Sequence, residues 1–457
     1  NLFIGGFTNR AKLNFETELA EKIYTNVERR KPEKRYNKLT LNEFKKQNNL
    51  DWDKFFKYNY KNIKYFIVDN PVFFVQLGKL FKNTSTENLK IILKTNIIST
   101  FSPYLSTEFY DNKFEFTRKF LAGQKNKKEL WKRGVSFVDG YLGELLGEKY
   151  VEVYFSKKSK DKMIELVDYL ISALKKRIDN LTWMSANTKK KASQKLKNIT
   201  YKIGYPDKWR SFDKLDLNKC NNLIDMIFEF YKFDYDYDTS RFYKKIDKFR
   251  WEMPSHTVNA YFHPLRNEIV FPAGILQKPF FDSNADDAIN FGAIGTVIGH
   301  ELTHGFDDKG RLYDSNGNLT NWWTKEDEDK FNLKTKYFID QYNEENVNGE
   351  LTLGENLADH GGVKISYYAL HDKLKDNYLL NQKVSGLSQQ ERFFLSYSNI
   401  WKGIVTEEEY EKRLITDVHS PNEFRVNTAL ANIPEFHMTF STLPSNKMFR
   451  ENPEQIW

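Results

Sequence analysis

Cysteine is almost absent from this chain. Cys220 is the only cysteine in 457 residues, so no disulfide can form within the chain. Disulfides are common in proteins that fold in oxidising compartments and rare in the reducing cytosol. The single cysteine therefore predicts a cytoplasmic or otherwise intracellular location.

Glycine, proline and long apolar runs are also scarce. The 22 glycines and 12 prolines are too few for collagen, flexible linkers or general disorder, and they favour long helices joined by few turns. The most apolar stretch, residues 65–81, is interrupted by Asp69, Asn70 and Lys79. A helix that spans a bilayer needs about 18 uninterrupted apolar residues. The sequence therefore predicts no membrane segment in this chain.

The excess of positive charge is small. The chain has 70 Lys and Arg against 62 Asp and Glu, a net charge of +8. The run Lys189–Lys191 follows a segment with several acidic residues, as is typical of solvated helix faces. We expect no nucleic-acid partner, and a basic nucleic-acid-binding protein is the alternative that the net charge leaves open.

The first half of the chain shows the apolar periodicity of helices. Apolar residues in residues 160–202 recur at steps of three and four, which predicts a pair of amphipathic helices. Residues 233–241 alternate aromatic and acidic side chains without an apolar stripe, so we predict a junction to a second domain there. Residues 255–262 and 268–274 mix β-branched and aromatic residues and predict a β-hairpin.

The sharpest pattern is His300-Glu301-Leu302-Thr303-His304. Residues four apart on an α-helix lie about 40° apart around its axis, so both imidazoles project from one face. Neutral imidazole is a good zinc donor, and Glu301 between the histidines can act as general base toward a metal-activated water. The pattern predicts a site for one Zn²⁺ per chain, and a chance histidine pair on a helix surface is the alternative.

A catalytic zinc also needs a third protein ligand and an open fourth position. Position 310 is Gly310, so no third histidine follows at the spacing of the metzincins. The best candidate is Glu355, with Asp359 one helical turn later on the same face. One carboxylate can bind zinc while the other accepts a ring N–H from a ligating histidine. The alternative interpretation is a capping box formed by Thr352 and Glu355 at a helix start.

Asp307 is a second acidic residue within reach of a zinc histidine, because it lies three residues after His304. The same residue fits a simple turn in residues 306–310. Both interpretations stay open from the sequence.

These motifs, taken together and in this order, resemble the neprilysin/endothelin-converting-enzyme family of zinc metallopeptidases. Weaker similarity at residues 181–205 and 36–41 extends the resemblance over nearly the whole chain. The segments that carry it are residues 297–310 (VIGHELTHGFDDKG), 354–362 (GENLADHGG), 259–262 (NAYF), 269–277 (IVFPAGILQ) and 416–425 (TDVHSPNEFR).

The resemblance implies a ligand set. In the family the two motif histidines and the Glu of the Gly-Glu-Asn motif bind zinc, and they match His300, His304 and Glu355. Two aspartates that orient the zinc histidines match Asp359 and Asp307. The resemblance thus implies that these five residues form the metal centre.

The resemblance also implies catalytic and substrate-binding roles. Glu301 matches the residue that polarises the water, and His419 is similar to the family's stabiliser of the oxyanion. Arg425 resembles a residue that holds a substrate carbonyl. Asn259 and Ala260 match the strand that binds the peptide main chain, and a contact within its own turn is the alternative for Asn259. An apolar pocket for the residue after the scissile bond is expected from Ile275, Phe280, Val297 and Trp401, and ordinary core residues are the alternative that their spacing indicates.

The chain departs from the family's animal members, which are membrane-anchored and cross-linked by several disulfides. Lys402 stands where those members have Cys after Trp, and the C-terminal residues 453–457 lack their Cys-x-x-Trp. The chain also starts without Met and well inside the family's length. We therefore expect an intracellular or microbial-type branch, a processed or trimmed product, and an incomplete lobe over the substrate chamber.

The sequence thus predicts a mainly α (α+β) fold in two lobes. Residues 1–45 are expected to be a remnant of an N-terminal part or hinge, residues 46–245 a helical lobe covering the active site, and residues 246–457 a thermolysin-like zinc catalytic domain. The predicted function is a monomeric zinc endopeptidase that cleaves oligopeptides on the amino side of hydrophobic residues. The alternative is a truncated, inactive relative that holds zinc and acts as a peptide-binding or scaffold protein.

Overall fold

The structure is a computed structural model that describes residues 6–47, 50–59, 63–242 and 244–457. Helices make up 60% and strands 5%, so the predicted mainly α fold is confirmed. By packing, the chain divides into two compact units, residues 1–127 with 406–409 and residues 128–405 with 410–457. The domain boundaries predicted after residues 45 and 245 stay predictions. Within the described ranges, no helix is both long enough and apolar enough to cross a bilayer.

The first unit is built from short helices and one two-stranded sheet. Its strands β1 (Asn37–Leu39) and β2 (Phe66–Val68) pair antiparallel. Phe15, Leu80 and Ile92 form a small core between three of the helices. The helices are α1 (Gly6–Ala20), α2 (Pro32–Arg35), α3 (Leu41–Gln47), α4 (Trp52–Asn59), α5 (Pro71–Asn83), α6 (Thr86–Phe101) and α7 (Thr107–Phe114).

The second unit holds the longer helices and the main hydrophobic core. Most of these helices begin at a residue whose side chain accepts a hydrogen bond from the first turn, for example Ser156, Ser185 and Asn348, as helix N-termini require. The helices are α8 (Leu130–Tyr154), α9 (Lys157–Asn180), α10 (Ala186–Lys197), α11 (Leu223–Thr239), α12 (Asp287–Asn290), α13 (Thr296–His304), α14 (Lys325–Glu344), α15 (Gly349–Asp376), α16 (Gln389–Ile400), α17 (Glu407–Thr416), α18 (Asn422–Ala431) and α19 (Pro434–Phe440).

A three-stranded sheet of order β3-β5-β4 lies within this unit. The predicted hairpin is confirmed: β4 (Tyr261–His263) pairs antiparallel with β5 (Glu268–Pro272). The periodicity did not reveal β3 (Thr200–Gly204), which pairs parallel with β5. Its partner is far away in the sequence, so only the tertiary fold brings the two strands together.

Helices α9, α13 and α15 pack together at the centre of this core. The predicted apolar stripe of residues 160–180 is confirmed, because Met163, Val167 and Leu170 of α9 are completely buried. α15 is buried along most of its length. A long buried helix of this kind is a rigid support for side chains on its neighbours.

Residues 233–239 of the predicted junction at 233–241 are helical, and the junction itself stays a prediction. Residues 233–239 belong to α11, which begins at Leu223 and buries Ile227 and Phe230. The apolar positions that face the core lie in the first half of this helix. In its second half, Phe233 and Tyr237 are half-buried and lie against the guanidinium of Arg210. The acidic residues between the aromatic ones hide the helical period.

Candidate metal centre

The two motif histidines lie on α13, whose backbone approaches that of α15 unusually closely. The contact is between Gly299 and Gly362: a Cβ atom on Gly299 would lie 2.7 Å from the carbonyl oxygen of Gly362. Any larger side chain at this point would push the helices apart. The close approach brings Glu355 of α15 opposite His300 and His304.

Three ligand atoms converge on one point. The Nε2 atoms of His300 and His304 are 3.0 Å apart, and each lies 3.3 Å from Oε2 of Glu355. Three or more His, Cys, Asp or Glu side chains can bind one metal ion when their ligand atoms lie close together. Among the described residues, this trio forms such a group. The side chains are 10%, 17% and 12% exposed, so the point is largely shielded from water.

These separations fit a tetrahedral zinc ion. Bonds of about 2.0–2.1 Å place tetrahedral ligand atoms roughly 3.3 Å from one another. Oε2 of Glu355 is buried and accepts no hydrogen bond from the described residues, which is costly unless a cation binds it. The donor set of two imidazoles and one carboxylate is the set that zinc takes in catalytic sites. The trio thus fits the metal that the motif predicts.

Each motif histidine is hydrogen-bonded to a carboxylate on the side of its ring away from the metal point. Nδ1 of His300 lies 2.8 Å from Oδ1 of Asp359, and Nδ1 of His304 lies 2.7 Å from Oδ2 of Asp307. Each bond assigns the ring proton to Nδ1 and leaves the Nε2 lone pair free for a metal. Asp307 also accepts the backbone N–H of Gly310 at 2.6 Å, so it forms a turn as well as supporting His304.

The local charges favour a cation at this point. Burial opposes ionisation of Glu355, but the positive charge of His304 and the close contacts with both histidine rings outweigh it and hold the pKa of Glu355 well below its usual range. Burial also opposes protonation of His304, yet the charge of Glu355 and the bond to Asp307 raise its pKa well above the usual value. The carboxylates thus attract positive charge, which zinc supplies when it binds.

Glu301 lies between the two histidines on α13 and is 6% exposed. Burial raises the pKa of Glu301, and the nearby histidines oppose this effect. A carboxylate whose pKa is raised toward neutrality is a better proton acceptor than an exposed one.

His419 lies just before α18, and its Nε2 is 3.3 Å from Oε2 of Glu355. Its Nδ1 bonds to Asp417 at 2.9 Å, and the side chain is 45% exposed. The next residue, Ser420, donates from its hydroxyl to the buried side chain of Asn356 at 2.6 Å. This bond fixes the His419 segment to α15. The sequence reasoning assigned no role to Asn356 or Ser420, although both lie inside the motifs quoted above.

Arg425 occupies a different environment from the one implied for a substrate-binding residue. Its Nε and Nη2 atoms donate to the two oxygens of Asp359 at 2.8 and 2.7 Å, and its guanidinium carbon lies 3.8 Å from the centre of the Trp401 ring. Arg425 is 8% exposed. The structure thus shows it supporting Asp359 and, through Asp359, His300. Its contact with a substrate carbonyl stays a prediction.

Asn259 and Ala260 lie immediately before β4, the edge strand of the sheet, which packs against α13. Asn259 is exposed, and its side-chain oxygen accepts the N–H of Ala260 at 2.9 Å. This bond is the local turn contact that the sequence left open as an alternative for Asn259. Both residues nevertheless lie beside the free edge of β4, with which an extended peptide can pair as an additional strand.

The capping-box alternative for Glu355 is wrong. α15 begins at Gly349, and its N-terminal cap is Asn348, whose side chain accepts the N–H of Leu351. Thr352 lies inside the helix and donates to the carbonyl of Asn348. Glu355 is therefore free to face α13.

The fold and site define the class of the chain: a mainly helical protein of the His-Glu-x-x-His metallopeptidase type, whose third acidic residue comes from a second helix. Residues 259–456 match the model of peptidase family M13, and residues 8–206 match a second model of the same family. The chain belongs to peptidase family M13.

Individual relatives agree with this assignment. The endothelin-converting enzyme homolog of Locusta migratoria is 34% identical over 98% of this chain and 65% of that protein, and human endothelin-converting enzyme 1 is 34% identical over 97% and 60%. The zinc metalloprotease Zmp1 of Mycobacterium tuberculosis, solved with an inhibitor, superposes with a TM-score of 0.93 and 34% identity over 98% of this chain and 70% of that chain. The chain spans less than two thirds of the length of the curated relatives it matches.

Proposed function

We propose that this chain is a zinc-dependent endopeptidase that hydrolyses peptide bonds of oligopeptides. The observation that carries the proposal is the convergence of His300, His304 and Glu355 on one point, with a carboxylate behind each histidine. Membership of peptidase family M13 supports the same conclusion. Zinc, when bound by these three residues, would supply a Lewis acid that polarises a carbonyl and acidifies water.

Glu301 is the proposed proton carrier. Its place between the two histidines on α13 and its interaction with the charges of His300, His304 and Glu355 support this role. It would accept a proton from the attacking water and donate that proton to the leaving amine as the peptide bond breaks. The raised pKa of Glu301 suits both halves of this cycle, since the group must take and release a proton near neutral pH.

His419 is proposed to stabilise the carbonyl oxygen as negative charge develops on it. The bond from Nδ1 to Asp417 orients the ring so that Nε2 faces the centre. A preorganised donor of this kind typically contributes about 3 kcal/mol to the transition state. The peptide itself would pair with the edge strand β4 next to Asn259 and Ala260.

Cleavage on the amino side of hydrophobic residues is the proposed specificity. Val297 is half-buried on α13 one turn before Glu301, and Phe280 and Trp401 are half-buried in the same core. We propose that these apolar side chains contact the substrate side chain next to the scissile bond. A single zinc per chain, a monomeric state and an intracellular location stay predictions from the sequence.

The test is hydrolysis of a fluorogenic peptide with a central Leu or Phe. A chelator should abolish turnover and added zinc should restore it, while Glu301→Gln should lower kcat at least about 100-fold with zinc still bound. Glu407→Gln, at an exposed position, is the matched control and should keep full activity.

Two outcomes would contradict the proposal. Zinc-dependent turnover that survives Glu301→Gln would overturn the mechanism. Stoichiometric zinc and peptide binding without turnover in the parent chain would instead support the inactive peptide-binding relative.

A further inference from the structure

Lys195 of α10 is a buried lysine next to the metal centre. It is 1% exposed, although lysine is among the residues least often buried. Its Nζ donates to three backbone carbonyl oxygens, those of Gly305 at 2.6 Å, Gly310 at 2.7 Å and Tyr313 at 2.7 Å. All three protons of the ammonium group thus have an acceptor.

The surroundings of Lys195 are aromatic. Its Nζ lies 5.8 Å from the ring centre of Phe262, 5.6 Å from that of Phe306 and 5.9 Å from that of Trp322. In the part of the chain that the structure describes, Lys195 forms no ion pair. Burial lowers the pKa of Lys195 to about 7, and the charges of Asp307 and Asp314 oppose this effect. Carbonyl dipoles and ring faces also stabilise the ammonium, and such an arrangement requires each acceptor to stay in place.

The acceptors belong to the loop that carries Asp307. Gly305 ends α13, and Gly310 donates its N–H to Oδ1 of Asp307 at 2.6 Å. The loop is tight, because a Cβ atom on Gly310 would lie 1.7 Å from the carbonyl oxygen of His304. A continuous path of contacts runs from Lys195 through Gly310 and Asp307 to His304.

We propose that Lys195 is a positioning residue of the metal centre, which holds both ends of the 305–310 loop so that Asp307 keeps His304 oriented toward zinc. The inference rests on the zinc site of the proposed function. Lys195 does not touch the ligand atoms, and its effect passes through Asp307. Its ammonium also neutralises the carbonyl at the C-terminal end of α13, where the helix dipole is negative.

The test measures zinc affinity by competition with a chromogenic chelator, independently of turnover. Lys195→Met keeps the length of the side chain and removes its donors, and Lys197→Met on the exposed side of the same helix is the matched control. Loss of outer contacts to a zinc ligand typically weakens binding about 10- to 100-fold, so Lys195→Met should weaken zinc binding at least about tenfold. Lys197→Met should leave the affinity unchanged.

A double-mutant cycle distinguishes positioning from general destabilisation. If Lys195 acts through Asp307, the variant Lys195→Met/Asp307→Ala should bind zinc within about twofold of Asp307→Ala alone. The cobalt-substituted Lys195→Met protein should show a changed d–d absorption spectrum, while Lys195→Arg, which keeps the donors, should restore part of the affinity. If Lys195→Met does not fold, Lys195→Gln is measured in its place with the same criteria.

Either of two results would overturn the proposal. One is a folded Lys195 variant with the zinc affinity and cobalt spectrum of the parent. The other is an effect fully additive with Asp307→Ala. A parent chain that binds no zinc would instead contradict the proposed function, so the two failures are distinguishable.

Discussion

At the scale of single residues, Asp359 links His300 to Arg425. It accepts the ring N–H of His300 and N–H groups from Nε and Nη2 of Arg425. Burial opposes its ionisation, but the charge of Arg425 and the bond from His300 lower the pKa of Asp359 to about 2. Asp359 is therefore ionised at neutral pH.

Asp359→Asn should weaken both the metal centre and the fold. The amide can no longer balance the buried charge of Arg425, and removing one partner of a buried ion pair costs about 3 kcal/mol. Zinc affinity should fall about 10- to 100-fold. Urea unfolding and chelator competition measure the two effects, with Asp376→Asn at an exposed position of the same helix as control. An unchanged zinc affinity would show that His300 does not need this partner.

His360, the residue after Asp359, should make the free energy of unfolding depend on pH. Burial and the nearby Lys364 ammonium lower the pKa of His360 to about 3, below the value of about 6.5 in an unfolded chain. Between these two values the unfolded state binds more protons, so the free energy of unfolding falls as the pH falls from about 6.5 toward 3.

His360→Phe should remove this pH dependence. The ring lies 5.3 Å from the ring of Phe338, so another aromatic ring suits the site. Urea unfolding of the zinc-free protein at pH 7.5, 5.5 and 4.5 should show a slope shallower than the parent's by about 1.4 kcal/mol per pH unit below pH 6.5. Identical slopes in the two proteins would contradict the prediction.

At the scale of elements, the contact between α13 and α15 determines whether a site exists. Cβ atoms at Gly299 or Gly362 would lie 2.5 to 2.9 Å from backbone atoms of the opposite helix. Backbone cannot move aside as a flexible side chain can. The distance between the His300–His304 pair and Glu355 therefore depends on these two glycines.

Gly299→Ala should destabilise the fold by about 1–3 kcal/mol, as overpacking of a core does, and weaken zinc binding by separating Glu355 from the histidines. Gly134→Ala on α8 is the matched control, since a Cβ there meets nothing within 4 Å. Replacing a helical glycine in open space should stabilise by up to about 1 kcal/mol. Thermal unfolding and zinc titration of both variants check this. Equal melting temperatures and equal zinc affinities of the two variants would show that the close contact between α13 and α15 is not required.

At the scale of the whole molecule, zinc should stabilise the folded chain. His300 and His304 come from one helix and Glu355 from another, so the complete site exists only in the folded state. A ligand that binds only the folded state adds about 4 kcal/mol at a thousandfold excess over its Kd. The melting temperature should therefore rise with zinc and fall with a chelator.

His304→Ala should abolish this zinc-dependent shift. His371→Ala on α15, half-buried and outside the site, should keep it. Differential scanning fluorimetry with and without zinc makes the comparison. A shift of equal size in His304→Ala and the parent would mean that zinc binds elsewhere.

Much of the fold followed from local patterns. The apolar stripe of α9, the hairpin of β4 and β5 and the mainly helical class were all predictable, because each depends on residues close together in the chain. The strand β3 and the helix α11 were missed. The strand β3 depends on a distant partner, and the second half of α11 alternates aromatic and acidic residues without an apolar period.

The sequence by itself determined the chemistry of this protein. The spacing of His300 and His304 on a helix, with Glu301 between them and the acidic pair Glu355 and Asp359 elsewhere, predicts a zinc site because helix geometry is the same in every protein. Only the tertiary structure decided which groups support that chemistry. Arg425 binds Asp359 and Lys195 is buried under the loop of Asp307. Nothing local predicts either contact, because a lysine or arginine in sequence is expected at the surface, and burial depends on what distant segments pack around it.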